Sequence, residues 1–235
     1  MTVQYHLNEE PCYHIDFAVY AHEYIQNGNL YLARGKPTSD STDRYWQLDD
    51  PIGLIKIVRE RFSNDNDNYQ FRRSIRDLKR WKDVKFSTEG HSAPIGIGIT
   101  IAAYYWFSPT YTIVDPFQNK RKYNDLLALQ TLVNQMILNF KWVQYKGEWA
   151  ERLVVTVPVQ PLTDLFEKMT NVQMSDFRNK LLILLSVLQD AEKEADPVVA
   201  CQKLQKQFGD DFHVPELKET AQARGPAIIS SGDSA

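Results

Sequence analysis

One carboxylate near the amino end of the sequence stands where a buried strand does not normally place one. In residues 12–20 (CYHIDFAVY), apolar side chains alternate with a second set that includes Asp16. This spacing predicts one strand with a buried apolar face and with Asp16 in the middle of the other face. A lone buried carboxylate is costly unless a cation, a metal ion or hydrogen-bond donors compensate it. Two interpretations of Asp16 stay open at this point: a salt bridge to Arg or Lys, and a metal-binding or catalytic role.

Positive charge is concentrated in a predicted helix over residues 69–83. Six of its side chains are Arg or Lys, and Arg72, Arg76 and Lys79 recur at the i, i+4, i+7 spacing of one helical face. In a chain of formal net charge −3, such a face is typical of a phosphate site, which Lys meets as a point charge and Arg as a fork of donors. A solvated face with internal Asp pairs is the alternative. A DNA-recognition helix is disfavoured, because no second basic element adjoins it.

Two other polar clusters are weaker candidates. The tripeptide 65–67 (Asp-Asn-Asp) does not fit an EF-hand loop, because Gln70 stands where glycine is needed and Arg76 where the bidentate glutamate belongs. We interpret it as loop and N-cap chemistry. His91 and Ser92 lack the neighbours of a catalytic nucleophile. The sequence also contains no Walker loop and no GxGxxG motif.

Composition indicates a globular protein with a sizeable core. The 235 residues are 43% hydrophobic and 24% charged, which is ordinary for a soluble domain. Cys12 and Cys201 lie far apart and form no metal-ligand pair, which argues for a reducing compartment. The longest apolar run, residues 93–107, is shorter than the roughly 20 residues that span a bilayer, and the start has no signal-peptide pattern. We predict a cytoplasmic protein with no membrane association and no strong nucleic-acid signal.

The hydrophobic pattern places short strands first and helices after them, so the predicted fold class is α+β. Strands are predicted over 2–7, 12–20 and 29–34, and Asp50 and Pro51 open the first helix as N-cap and N1 residues. The predicted helices cover 51–63, 69–83, 93–107, 124–140, 162–169, 175–194 and 197–208, with a strand-like segment at 152–157. Three parts are predicted: an incomplete sheet over 1–50, a mainly helical domain over 51–215 and a flexible tail over 216–235.

The order of these segments resembles the cGAS/DncV-like nucleotidyltransferases, the cyclic-oligonucleotide synthases of the bacterial antiviral systems called CBASS. The similar segments extend over essentially the whole chain. They are YHIDFAVY, LARGK, YWQLDDPIGLI, FRRSIRDLKRWKD, PIGIGIT and LQKQFGDDF, in that order. More distantly, the helix that contains LKRW is similar to the nucleotide-binding helix of oligoadenylate synthases.

The resemblance implies a palm-like sheet on which three carboxylates hold two Mg²⁺ ions, followed by a helical nucleotide-binding domain. Asp16 corresponds to the third of these carboxylates and would be a metal ligand and catalytic residue. Lys79 corresponds to the lysine that holds the triphosphate of ATP, GTP or another nucleoside triphosphate, with Arg76 and Arg72 beside it. Ser92 is expected only near this site, because isoleucine stands where relatives commonly carry the binding serine.

The sequence departs from the family in one respect that concerns activity. It contains no Gly-Ser pair, and its only D-x-D is the tripeptide 65–67, whereas relatives place both before the strand of the third carboxylate. We interpret the chain as the carboxy-terminal portion of a synthase that lacks half of the palm. It would be a truncated gene product, an enzyme completed by an upstream polypeptide, or an inactive descendant.

Two hypotheses of function follow from the resemblance. The first is a nucleotidyltransferase that makes cyclic di- or oligonucleotides by two-metal phosphoryl transfer and is inactive as this chain alone. The second is a catalytically inactive module of the same fold that binds a nucleotide or a protein partner. Some relatives are joined through their terminal carboxylate to other molecules by ubiquitin-transfer-like proteins, and the predicted tail would reach such an active site.

Overall fold

The computed structural model of the chain describes residues 2–7, 10–22, 29–35, 38–87, 92–118 and 120–216. These residues form six α-helices and four small antiparallel sheets, so the predicted mixture of helices and strands is confirmed. The chain divides into two compact units. The first unit is Met1–Arg61 with Thr156–Asp164, and the second is Phe62–Val155 with Leu165–Ala235. The predicted division into a palm and a helical domain stays a prediction.

The first unit begins with an antiparallel hairpin of β1 (Thr2–Leu7) and β2 (Glu10–Asp16). Asp16 is paired with Thr2 at the end of this hairpin. The prediction of one strand over 12–20 with Asp16 in its middle is therefore wrong. The physical reason is a change of pairing partner. Strand β2 pairs with β1 only as far as Asp16, which lies opposite Thr2. The carbonyl of Val19 instead accepts a hydrogen bond from the amide of Ala33 at 3.0 Å.

The apolar side chains that follow the predicted alternation are not buried. Ile15, Phe17 and Val19 have exposed fractions of 42%, 48% and 49%. A sheet face becomes buried only when a second layer packs on it, and a two-stranded hairpin is marginal alone. The described residues do not supply that layer. The predicted buried face is therefore wrong for this chain.

A three-stranded antiparallel sheet follows in the first unit, in the order β3-β4-β5. Its strands are β3 (Tyr20–His22), β4 (Leu30–Arg34) and β5 (Tyr45–Asp49). The sequence pattern predicts β4 within one residue but does not predict β5. Helix α1 (Pro51–Arg59) then starts as predicted, because the Asp50 carboxylate accepts a hydrogen bond from the Gly53 amide at 2.7 Å.

The second unit contains the other five helices and two hairpins. The helices are α2 (Asp65–Lys85), α3 (Gly96–Trp106), α4 (Asp125–Leu138), α5 (Asn171–Lys193) and α6 (Pro197–Phe208). The hairpins are β6 (Tyr111–Asp115) with β7 (Lys120–Tyr123), and β8 (Phe140–Tyr145) with β9 (Glu148–Leu153). The predicted strand-like segment at 152–157 overlaps only the end of β9, and β7 and β8 are not predicted. No helix among the described residues is both long enough and apolar enough to cross a bilayer.

Helix α2 begins earlier than predicted. The Asn64 side chain accepts hydrogen bonds from the amides of Asn66 and Asp67 at 2.9 and 3.3 Å, so the polar segment 64–68 caps and opens the helix. The N-cap interpretation of this segment is confirmed, and its interpretation as a loop is wrong, because residues 65–68 are helical. The Asp67 carboxylate also accepts hydrogen bonds from Tyr123 at 2.5 Å and Arg121 at 3.2 Å.

The predicted helix over 162–169 does not form. The buried Arg152 guanidinium, 1% exposed, donates hydrogen bonds to the carbonyl oxygens of Phe166 at 3.0 Å and Met169 at 2.8 Å. Thr170 then adopts an extended conformation and caps α5 through a reciprocal pair of hydrogen bonds with Gln173. Turns around a buried cation therefore replace the helix that the apolar spacing predicts.

The core of the second unit is aromatic at its centre. The fully buried ring of Phe177 lies 5.6 to 6.4 Å, between centroids, from the rings of four other residues. These are Trp81, Phe86, Phe140 and Phe166. Because Trp81 belongs to α2 and Phe177 to α5, this cluster joins the basic helix to the longest helix of the unit.

Candidate functional site

Two of the arginines on α2 bind residues outside this helix. Arg73 forms two hydrogen bonds with the Asp125 carboxylate, at 2.6 and 2.9 Å. Arg80 donates to the carbonyl oxygen of Phe208 at 2.8 Å and forms an ion pair with Asp211. These contacts attach α2 to the start of α4 and to the end of α6.

Gln70 strengthens the attachment to α4. Its side-chain amide donates to Asp125 and to the carbonyl oxygen of Thr110, both at 3.1 Å, and its oxygen accepts from the Thr110 amide at 2.9 Å. Burial by itself would raise the pKa of Asp125, but the hydrogen bonds from Arg73 and Gln70 outweigh it and lower that pKa below its ordinary value. Asp125 is therefore a charged anchor for the basic helix.

The other cations of α2 behave differently. Lys82 pairs with its neighbour Asp83 at 2.8 Å, and Lys85 donates to the carbonyl oxygen of Lys206 at 2.5 Å. In contrast, Arg72, Arg76 and Lys79 have no hydrogen bond or ion pair with any residue of the described ranges. Arg72 and Arg76 are exposed, and Lys79 is half-buried. We call these three side chains the cation face. The internal Asp pairs of a merely solvated helix are therefore absent from this face.

The first turn of α3 lies beside the cation face. A Cβ atom placed on Gly96 would be 3.5 Å from Cε and 4.0 Å from Nζ of Lys79. The N-cap residue is Ile95, whose side chain accepts no hydrogen bond from the first-turn amides. A helix N-terminus carries partial positive charge and unsatisfied N–H donors, so it favours an anion. The Lys79 ammonium and these amides together form a candidate anion-binding site.

The predicted site residues therefore fall into three groups. Arg72, Arg76 and Lys79 lie together on one face of α2, as their spacing predicts. Ser92 is half-buried and precedes α3, and its role stays a prediction. Asp16 lies in the first unit, and the structure describes its backbone only. Its metal-binding role also stays a prediction.

The first turn of α3 has no strong sequence signal. The only indication is an isoleucine at the position where Ser, Thr, Asp or Asn usually caps a helix, which leaves the first amides without a side-chain acceptor. The proline and the glycines around it predict a helix from residue 93, three residues before α3 begins at Gly96. They do not predict that Lys79 approaches this turn, because that contact depends on the packing of two helices.

The residues of the described ranges do not by themselves fit a metal centre. Nowhere in these ranges do three or more His, Cys, Asp or Glu side chains form a group that could hold a metal ion. The only D-x-D of the sequence, residues 65–67, lies in the first turn of α2. The predicted C-terminal tail falls almost wholly outside the described residues.

No protein-family model and no curated protein matches the sequence. Solved structures of DncV have a similar fold. The GTP-bound form of DncV from Vibrio cholerae has a TM-score of 0.57 at 20% identity, covering 85% of this chain and 47% of that chain. The Escherichia coli DncV bound to 3′-deoxy GTP has a TM-score of 0.55 at 20% identity, covering 84% and 46%.

A third similar structure is that of the Vibrio cholerae DncV cyclic AMP-GMP synthase in complex with the linear intermediate pppA(3′,5′)pG. Its TM-score is 0.56 at 20% identity, and the similarity covers 85% of this chain and 48% of that chain. The chain thus spans less than half the length of these structures. At this level of identity the similarity concerns the fold. The resemblance predicted from the sequence is confirmed in that sense: over most of its length the chain has a fold similar to that of DncV.

Proposed function

We propose that the second unit binds the triphosphate of a nucleoside triphosphate across the cation face of α2 and the first turn of α3. The proposal extends to the whole chain, as the nucleotide-binding portion of a nucleotidyltransferase that joins ATP and other nucleoside triphosphates, GTP among them, into cyclic di- or oligonucleotides. Similar structures of DncV were solved with ATP, GTP and a linear dinucleotide intermediate bound, which supports this substrate class.

One observation carries the proposal. Of the seven cations on α2, Arg73, Arg80 and Lys82 pair with carboxylates and Lys85 donates to the carbonyl oxygen of Lys206. The three of the cation face have no hydrogen bond or ion pair within the described ranges. Three cations on one helical face repel one another, so their arrangement is best explained by an anion that compensates them. A triphosphate supplies several negative charges and many acceptor oxygens in one group.

The residues of this site have distinct roles in the proposal. Lys79 contributes a point charge beside the helix N-terminus, where phosphate oxygens also meet the first-turn amides of α3. Arg72 and Arg76 contribute planar forks that hold phosphate oxygens by two donors at once. These contacts bind and orient the triphosphate, and they neutralise its charge before any bond is formed or broken.

Asp16 is the proposed contribution of the first unit, as one of the carboxylates that hold Mg²⁺. The metal, when bound, would polarise the phosphate that is attacked and stabilise the leaving pyrophosphate. One carboxylate cannot hold two ions, so the proposal requires a further polypeptide that supplies the other ligands. The exposed apolar side chains of the β1-β2 hairpin are the proposed surface for that polypeptide.

The binding of ATP to the purified chain tests the proposed site. Lys79→Gln removes the charge nearest to the helix N-terminus, and we expect at least a tenfold increase in the Kd for ATP, measured by calorimetry. A hydrogen bond between charged groups contributes about 1.5–3 kcal/mol, and about 1.4 kcal/mol corresponds to a factor of ten.

Lys82→Gln is the matched control for this experiment. It removes a lysine from the same helix, but one that already pairs with Asp83, so the Kd for ATP should change by less than about twofold. Equal effects of the two substitutions, or no effect of either, would show that the cation face is a solvated surface.

A second candidate function is an inactive module that binds a nucleotide or a protein without chemistry. It is favoured by the lack of a metal-ligand group in the described ranges and by the position of the only D-x-D inside a helix. Both candidates predict ATP binding at the cation face. They differ in whether a completed protein forms product.

A further inference from the structure

A cavity of about 380 Å³ lies within the second unit, on another side of the basic helix. Asp77 and Arg80 line it from α2, and Asp77 lies about 100° or more around the helix axis from each residue of the cation face. Most of the remaining wall is apolar. It is formed by Leu126, Leu129, Leu188, Leu204, Phe208 and Phe212. The volume is within the range of about 300–1,000 Å³ that is typical of small-molecule pockets.

The charged groups at this cavity are not equally compensated. Asp125 is bonded by Arg73, and Asp211 is paired with Arg80. Asp77 also lines the cavity, and it accepts no hydrogen bond from any residue in the described part of the chain. The cavity therefore has an apolar wall with one half-buried carboxyl group that lacks a donor.

The environment of Asp77 favours a cation. Burial, and after it the negative charge of Asp125, raises the pKa of Asp77 from 3.8 to about 6. Arg76 and Arg73 oppose this rise through longer-range attraction and do not cancel it. A donor with positive charge placed in the cavity would offset both the burial of the Asp77 carboxylate and its repulsion by Asp125.

We propose that this cavity binds a small organic cation, with an apolar ring system against the leucine and phenylalanine side chains and an amine or amidine that donates to Asp77. Charge decides between this class and the others of similar size. A phosphate or carboxylate ligand would face Asp77 and Asp125, and the one arginine of the wall is already held by Asp211 and by the carbonyl of Phe208. An uncharged ligand would leave the Asp77 carboxylate without a donor of positive charge.

Three indole compounds of similar size test the proposal: tryptamine, which is cationic, tryptophol, which is neutral, and indole-3-acetate, which is anionic. We expect tryptamine to bind the full chain at least tenfold more tightly than the other two, measured by calorimetry near neutral pH. Asp77→Asn should weaken tryptamine binding about tenfold and leave tryptophol binding unchanged, because the lost contact is a charge-assisted hydrogen bond.

Two further variants make the result specific. Leu204→Trp should abolish binding of tryptamine by filling the cavity, while Asp190→Asn, on the exposed side of α5, should leave it unchanged. ATP binding at the cation face should persist in all of these variants, which shows that they are folded and separates this proposal from the one above. That persistence is expected because the two sites lie on different faces of α2.

Three results would overturn the proposal. The first is equal affinity for the three probes, or no binding of any of them. The second is tryptamine binding that Asp77→Asn does not weaken. The third is a dimer in sedimentation experiments that dissociates in the Leu204→Trp variant without any probe present, because the cavity would then belong to an interface between two copies.

Discussion

At the scale of single residues, α2 shows how adjacent positions acquire different functions. Arg76 belongs to the cation face, Asp77 lines the cavity, and Leu78 is completely buried in the core. Successive residues of a helix point about 100° apart, so three consecutive side chains meet solvent, a cavity and a packed interior. Spacing in the sequence reveals this rotation, but the identity of each environment depends on the neighbouring helices.

The raised pKa of Asp77 predicts a dependence of stability on pH. The pKa in the folded chain, about 6, is above the ordinary value of 3.8, so the unfolded chain loses this proton at lower pH than the folded chain. The contribution of Asp77 to the free energy of unfolding is therefore lost as the pH rises from about 4 to above 6. Asp77→Asn should be more stable than the native chain by about 2 kcal/mol at about pH 8, and nearly equal at about pH 4.

Urea denaturation of both proteins at the two pH values measures this difference. Asp190→Asn serves as the control, because Asp190 is an exposed residue of α5. It should change the free energy of unfolding by no more than about 0.5 kcal/mol at either pH. A difference between native chain and Asp77→Asn that is independent of pH would show that burial does not perturb this carboxyl.

At the scale of elements, α3 is held by a close fit against one ring. A Cβ atom on Gly98 would lie 2.6 Å from Cζ of Phe166, and Phe166 is itself buried by the turns that Arg152 organises. The first turn of α3 therefore depends on a glycine in its interior and on a segment more than fifty residues later in the chain. This fit also positions the helix N-terminus of the candidate site.

Gly98→Ala should lower the free energy of unfolding by about 1–3 kcal/mol, because overpacking forces a buried ring to move. Gly96→Ala is the matched control, since its Cβ atom would be in ordinary contact with Lys79, at 3.5 Å from Cε. That variant should keep or gain stability, by up to about 1 kcal/mol from helix propensity. Adding Phe166→Leu to Gly98→Ala should recover part of the loss if the clash is its cause.

At the scale of the whole molecule, the chain covers less than half of the DncV structures that it resembles. Its first unit exposes apolar side chains on the β1-β2 hairpin, and its second unit has a complete aromatic core. The second unit therefore has the packing needed for a binding site. Chemistry, in the proposed function, requires additional polypeptide.

Incubation with labelled ATP, GTP and Mg²⁺ tests this division of roles. We expect the chain alone to bind nucleotide and form no product, because one carboxylate cannot position two metal ions. Product should form after coexpression with a polypeptide that supplies the Gly-Ser turn and the D-x-D pair. It should be lost again in Asp16→Asn and in Lys79→Gln, whereas Lys82→Gln should retain it.

The outcomes separate the hypotheses. Product made by the chain alone would contradict the proposed incompleteness of the site. Binding of the second polypeptide without any product would favour the inactive module. Reduced hydrogen exchange of β1 and β2 in the complex of the chain with the coexpressed polypeptide would indicate that the exposed hairpin is the contact surface.

The sequence by itself determined the features that depend on nearby residues. It predicted α6 and its ends, the start of α4, the N-caps Asp50 and Asn124, and the common face of Arg72, Arg76 and Lys79. Caps act over three residues and helical faces over seven, so a single sequence contains the whole cause.

Only the tertiary structure decided the features that depend on distant partners. It ended β2 at Asp16, replaced the helix at 162–169 by turns around Arg152, and separated the anchored cations of α2 from those of the cation face. It also left Asp77 beside a cavity without a donor among the described residues. The physical reason is that burial, strand pairing and charge compensation are set by residues that are far apart in the chain and meet only after folding.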